Sequence, residues 1–140
     1  MTTKITVAAS INAPIEQVWS AWNSPEDIVK WNFAQEDWHT TKSVVDFREG
    51  GQFSSRMEAK DGSAAFDFEG IYEKIVEHQL VVSQFGGRSL VVQFEQGENG
   101  VMITETFEAE QINDVEMQRQ GWQAILNNFK CYVESQHTAQ

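Results

Sequence analysis

Among its 140 residues the chain holds one cysteine, two prolines and three histidines. A single Cys131 cannot close an internal disulfide, so the fold must stand on its core, and the chain suits a reducing compartment. Scattered histidines and a lone cysteine supply no zinc-type ligand spacing, so no metal is expected. A nucleophile elbow, a phosphate loop and a Cys–His signature are equally missing, and no cofactor is implied. Positive charge is scarce too: ten Lys and Arg stand against 21 Asp and Glu, a formal charge of −11. Nucleic-acid binding neutralises phosphates with basic side chains, so this balance argues against that class of partner. No apolar run approaches a membrane span, and "MTTKITVAAS" lacks the apolar stretch of a signal peptide. The expectation is a soluble, cytoplasmic protein with no membrane insertion.

What the chain does have is a globular composition, 41% apolar and 22% charged. At this length one domain spanning 1–140 can bury roughly two-thirds of its unfolded surface without a staple. Residues 3–11 alternate loosely and read as a strand. In "NAPIEQVWSAWN", Pro14 suits a helix start, and Ile15, Val18, Trp19 and Trp22 recur at helical spacing. "SPEDIVKW" starts a second short helix with Ser24 as N-cap and Pro25 in its first turn. Six apolar-rich runs follow, divided by turn signals: "KSVVDFRE", "QFSSRMEAK", "AAFDFEGIYEKI", "LVVSQF", "SLVVQFEQ" and "VMITETFEAE". Their short connections predict antiparallel pairing. The tail "NDVEMQRQGWQAILNNFKCYVESQ" carries Trp122, Ile125, Leu126, Phe129 and Val133 along one face of a helix about 30 Å long. One strand, two small helices, six strands and one long helix predict an α+β fold. A single antiparallel sheet would have the long helix on its concave face.

Four stretches in this order, "INAPIEQVWSAWNSPEDIVKWNF", "DFREGGQFSSRMEAKDGS", "FDFEGIYEKI" and "GWQAILNNFKCYVE", resemble the START-like (SRPBCC) superfamily. Within it they are similar to the branch named after the C-terminal domain of the activator of the heat-shock protein 90 ATPase. The resemblance covers nearly the whole chain. It implies the helix-grip fold, a curved seven-stranded antiparallel sheet around the C-terminal helix. It also implies a cavity between the two, used across the superfamily for hydrophobic ligands and sometimes for catalysis. Nothing in the residues independently points to a chaperone partner.

Period-two alternation assigns faces to the strands. Phe53, Ser55 and Met57 share one face of their strand, and Phe66 and Phe68 one face of the next; these should line the cavity. Val101, Ile103, Glu105 and Phe107 share a face, which sets a carboxylate among apolar neighbours. Burying an ionised carboxylate without partners is costly, so Glu105 should be protonated or paired. The alternative is a bulge that turns it to solvent. On the helix, Gln118 continues the stripe one turn before Trp122, and Gly121 beside it leaves room for something to approach. "KWNFAQEDWHTTK", residues 30–42, mixes Trp31, Phe33 and Trp38 with Gln35, Glu36 and Asp37. It reads as an aromatic lid over one open end of the grip, more mobile than the strands. His39, next to Trp38, is a candidate partner for Glu105.

Three functions compete. A binding module would take a small, largely apolar molecule with one polar group read by Glu105 or Gln118. An enzyme would use Glu105, with His39, as general acid or base. A chaperone-activator-type interaction domain would expose an apolar patch instead of enclosing a hollow. The residues favour the first.

Overall fold

The computed structural model describes residues 3–34 and 36–138, so Gln35 lies outside the described residues. The chain forms β1 (Lys4–Ile11), α1 (Ile15–Asn23), α2 (Pro25–Trp31), β2 (Trp38–Val45), β3 (Gln52–Ala59) and β4 (Ala65–Val76). It continues through β5 (Leu80–Phe85), β6 (Arg88–Gly97) and β7 (Gly100–Glu108) to α3 (Val115–Thr138). All seven strands pair antiparallel in one sheet, in the order β1-β7-β6-β5-β4-β3-β2. This is the helix-grip arrangement: the sheet curves around α3, and α1 and α2 close one end.

The inner face follows the alternation of each strand. Ile5, Val7 and Ile11 of β1 are buried, as are Val81, Ser83 and Phe85 of β5 and Val101, Ile103, Glu105 and Phe107 of β7. Two bulges bend the sheet and reset this rhythm. In β2 the register shifts between Thr40 and Lys42, and in β4 between Tyr72 and Lys74. An extra residue in one strand adds bend and twist. In β4 it leaves Phe66, Phe68 and Tyr72 facing in, then hands the inner position to Ile75, which pairs with Val81. The β5–β6 hairpin turns on Gly86 and Gly87, at φ 56° and 78°. Two successive positive φ values are what a tight primed turn demands and glycine supplies cheaply.

The last part of the segment expected to be a lid is an edge strand. Trp38 to Lys42 lie in β2, the outermost strand. An edge strand with one face in water tolerates Thr, Lys and Ser where a central strand would not. The linker before it is tied down as well. Asn128 Nδ2 donates to the Phe33 carbonyl at 2.5 Å, Thr40 Oγ1 to the Asn32 carbonyl at 2.5 Å, and the Lys60 amide to the Asp37 carbonyl at 2.8 Å.

The opposite edge, β1, is covered by polar side chains of α3. Arg119 donates to the Thr6 carbonyl at 3.2 Å, Gln123 to Ala8 at 3.1 Å and Lys130 to Ser10 at 2.6 Å, and Glu134 accepts from the Asn12 amide at 2.8 Å. Alternate carbonyls of an edge strand point outward, and a helix running alongside presents a side chain to each in turn. The row that another strand would take is thereby occupied.

Candidate functional site

Where α1 and α2 meet α3, the interior is solid. Trp22 and Trp31 stack with ring centres 4.9 Å apart, and Phe129 sets its ring edge-on to both at 4.9 Å. Trp31 spends its indole N–H on the Ala21 carbonyl at 3.0 Å. Leu126 at the middle of α3, and Phe129 and Val133 in its C-terminal half, have no exposed surface.

Under the N-terminal half of α3 the interior opens into a hollow of about 320 Å³. Its floor is the inner face of β3 to β7: Phe53, Ser55 and Met57, then Phe66, Phe68 and Tyr72, then Val81, Ser83 and Phe85, then Leu90, Val92 and Glu105. Trp22, Ile28 and Trp31 wall the closed end, and Trp122 and Ile125 form the roof. Arg88 and Glu110 stand beside it, with Phe66 about half exposed. Gly70 shapes the floor: a Cβ there would lie 2.1 Å from the Gln84 carbonyl oxygen and 2.6 Å from the Phe53 ring, so glycine lets both come close.

Glu105 is 4% exposed. Its neighbours hold it in regular register, opposite Val7 of β1 and Val92 of β6, so no bulge turns it outward. Among the described residues its carboxyl has no hydrogen-bond partner. Burial pushes its pKa up to about 8 from 4.5. Desolvation penalises the charged form and nothing nearby repays it, so the group is a neutral acid at pH 7. Tyr72 and Ser83, 7% and 2% exposed, also face the hollow, and their hydroxyls make no hydrogen bond among the described residues. Burial likewise raises the pKa of the Tyr72 hydroxyl above its ordinary 10. Arg88 is engaged elsewhere: it donates to the Glu108 carbonyl at 3.1 Å and lies 4.4 Å above the Phe85 ring.

Six expected site residues lie off the wall. Phe107 shares the inner face with Glu105, but Trp122 stacks on it at 3.9 Å and screens it from the hollow. Gln118 is buried and its amide is spent. It donates to the Asn113 and Glu110 carbonyls at 2.9 and 3.2 Å and accepts from the Glu110 amide at 2.9 Å, pinning the β7–α3 loop. Gly121 has nothing within 4 Å of where a Cβ would sit, so no wall approaches the helix there. Phe33 contributes its carbonyl to Asn128 and does not line the space. Trp38 stands behind Phe66, ring centres 5.8 Å apart. His39 pairs with Glu58 on the outer face of the sheet, on the far side from Glu105. The remaining expected residues, Trp31, Phe53, Ser55, Met57, Phe66, Phe68, Glu105 and Trp122, border the hollow.

Several lining residues went unread in the sequence. Ser83 carried the same signal as Glu105, a polar residue between Val81 and Phe85 on an inward face. Tyr72 was hidden by the bulge that follows it. Arg88 and Glu110 are placed by a hairpin and a loop, and alternation says nothing of those. Among the described residues no group of three or more His, Cys, Asp or Glu is arranged to hold a metal, and no helix is long and apolar enough to cross a membrane.

The family described as Activator of Hsp90 ATPase homolog 1-like protein matches residues 12–134. The solution structure of the AHSA1-like protein from Aeromonas hydrophila is 45% identical. The match covers 96% of this chain and 94% of that one, with a TM-score of 0.91. Chr148 from Cytophaga hutchinsonii is 40% identical over 98% of this chain and 96% of its own, with a TM-score of 0.82. CV1439 from Chromobacterium violaceum, at 20% identity over 94% and 96% and a TM-score of 0.83, shares the fold. No curated protein matches the sequence.

Proposed function

The chain belongs to the family of Activator of Hsp90 ATPase homolog 1-like proteins, and from that premise we propose that its hollow binds a small, largely apolar molecule anchored by Glu105. The observation that carries this reading is an unpartnered carboxyl, 4% exposed, on the floor of an aromatic hollow. A buried polar group without a partner costs stability, and a ligand oxygen that accepts from the neutral acid would recover part of that cost. The volume falls at the lower end of ligand pockets, which run from about 300 to 1,000 Å³, mostly apolar with few polar anchors.

The acid–base reading lacks a partner for Glu105, since His39 lies on the other face of the sheet. The chaperone reading would draw on exposed apolar surface. The exposed large apolar side chains, Val44, Phe66, Ile71, Met102, Ile112 and Met117, are instead distributed over β2, β4, β7, the β7–α3 loop and α3. A cytoplasmic setting belongs to the same proposal and is supported by the lone Cys131.

The test is a mass-spectrometric survey of small molecules retained through native purification, run on wild type and Glu105→Gln. The expected result is an apolar compound held by wild type and depleted in the variant. Recovery of no compound from protein purified under mild conditions, with no uptake from a lipid-soluble extract, would overturn the proposal.

A further inference from the structure

The buried polar side chains of the hollow that lack a hydrogen-bond partner among the described residues stand at two places, and these are far apart. Glu105 lies in one row across the sheet with Val92 and Val81; Ser83 lies in the next inward row, with Leu90 and Phe107. Ser83 pairs directly with Tyr72, so their Cβ atoms are about 5 Å apart on the same face. From Glu105 to Ser83 is two strands across and two residues along, about 12 Å over the floor. Between them the floor is Val81, Leu90 and Val92, and the roof is Trp122 and Ile125.

Among the described residues no fully enclosed side-chain nitrogen or oxygen lacks a hydrogen-bond partner. Among the same residues the side chains of Glu105, Ser83 and Tyr72 have no hydrogen-bond partner, so their polar atoms must border open space, and the space they line is the hollow. All three are at least nine-tenths buried. Native proteins leave few such groups unmatched, and three around one cavity point to an occupant that matches them.

We propose that the hollow is a two-ended site for an elongated apolar molecule with an oxygen function at each end. One oxygen accepts from the Glu105 carboxyl. The other, a hydroxyl, exchanges hydrogen bonds with the Tyr72 and Ser83 hydroxyls. The apolar middle lies between Trp122 and the valine-rich floor. This rests on the hollow being the ligand site, and it adds the spacing and chemistry of the ligand's two ends.

The test uses three rigid probes of one shape: biphenyl, para-phenylphenol and para,para′-biphenol. Their affinities are read by quenching of tryptophan fluorescence in wild type and in the double variant Tyr72→Phe, Ser83→Ala. Each net hydrogen bond is worth about 1 kcal/mol, or roughly fivefold in affinity. The second hydroxyl can make one or two such bonds, so wild type should bind the diphenol about 5- to 25-fold more tightly than the monophenol. The double variant should lose that preference while keeping its affinity for the monophenol within about twofold. In wild type, saturation with the diphenol should shift both the Glu105 carboxyl carbon and the Tyr72 hydroxyl-bearing carbon, a readout that stands if the variant fails to fold. Binding of all three probes with equal affinity would overturn the two-ended site and leave an apolar pocket standing. Shifts at Glu105 alone would do the same. Failure of every probe to bind would overturn the ligand-site reading itself.

Discussion

The two halves of α3 face different interiors. Phe129, in the second half, is fully enclosed by Trp22 and Trp31, and Leu126 and Val133 beside it are equally buried. Trp122, in the first half, stacks on Phe107 on one side and roofs the hollow on the other, and it keeps part of its surface exposed. One helix thus serves both as core and as lid of a cavity. The aromatic packing around Phe129 is at the end closed by α1 and α2, and the unmatched polar groups lie beyond it. A domain of this size has only about 5–15 kcal/mol of net stability, so keeping the unmatched polar groups to one side of the packed cluster confines their cost.

The largest expected effect is at the packed end. Phe129→Ala removes a ring held on several sides and should cost about 3–5 kcal/mol in urea unfolding. A loss below about 1 kcal/mol would show that the closed end is not the stability core.

Next comes Glu105→Gln, whose effect must depend on pH. The folded pKa, about 8, lies above the ordinary 4.5. Below about pH 4.5 the carboxyl is neutral in both states and costs nothing extra. As pH rises from there, the unfolded chain ionises while the folded one must stay protonated, so wild type loses about 1.4 kcal/mol per pH unit. The loss levels off above about pH 8, where the folded carboxyl ionises too. Glu105→Gln should match wild type at pH 4 and exceed it by a few kcal/mol at pH 8. A stability difference that does not change with pH would mean that water in the hollow already solvates the charge.

Trp122→Ala should come third, at about 1–3 kcal/mol, because the ring already borders empty space and its removal enlarges a cavity instead of creating one. A cost equal to that of Phe129→Ala would erase the contrast between the two halves of α3. The smallest effect is at the β1 edge: Gln123→Ala should cost about 1 kcal/mol or less, since its carbonyl partner can turn to water. Faster amide exchange along β1 in this variant would confirm the cover, and unchanged exchange would count against it.

The order of elements was legible because each depends on local periodicity: the Trp122-to-Val133 stripe marks α3, and Gly86-Gly87 marks a turn. Glu105 was legible for the same reason, since alternation runs unbroken through β7. Trp38 and His39 carry no strand signature and suggest a lid, because an edge strand escapes the burial that makes strands visible in a sequence. Gln118 sits on the helix stripe as expected, yet the β7–α3 loop folds back and consumes its amide, a tertiary event with no local signature. Phe107 faces inward as alternation requires, and only the stacking of Trp122 removes it from the wall. What the sequence could not show was which inward residues touch one another and which touch space.

The most direct test is a carbon-13 chemical-shift titration of the Glu105 side-chain carboxyl in the intact protein. A midpoint near 8, with no ligand added, is the result expected for a buried, unpartnered acid in the hollow. A midpoint near 4.5 would place the carboxyl in water or beside a strong donor, and would remove the anchor on which the binding site rests.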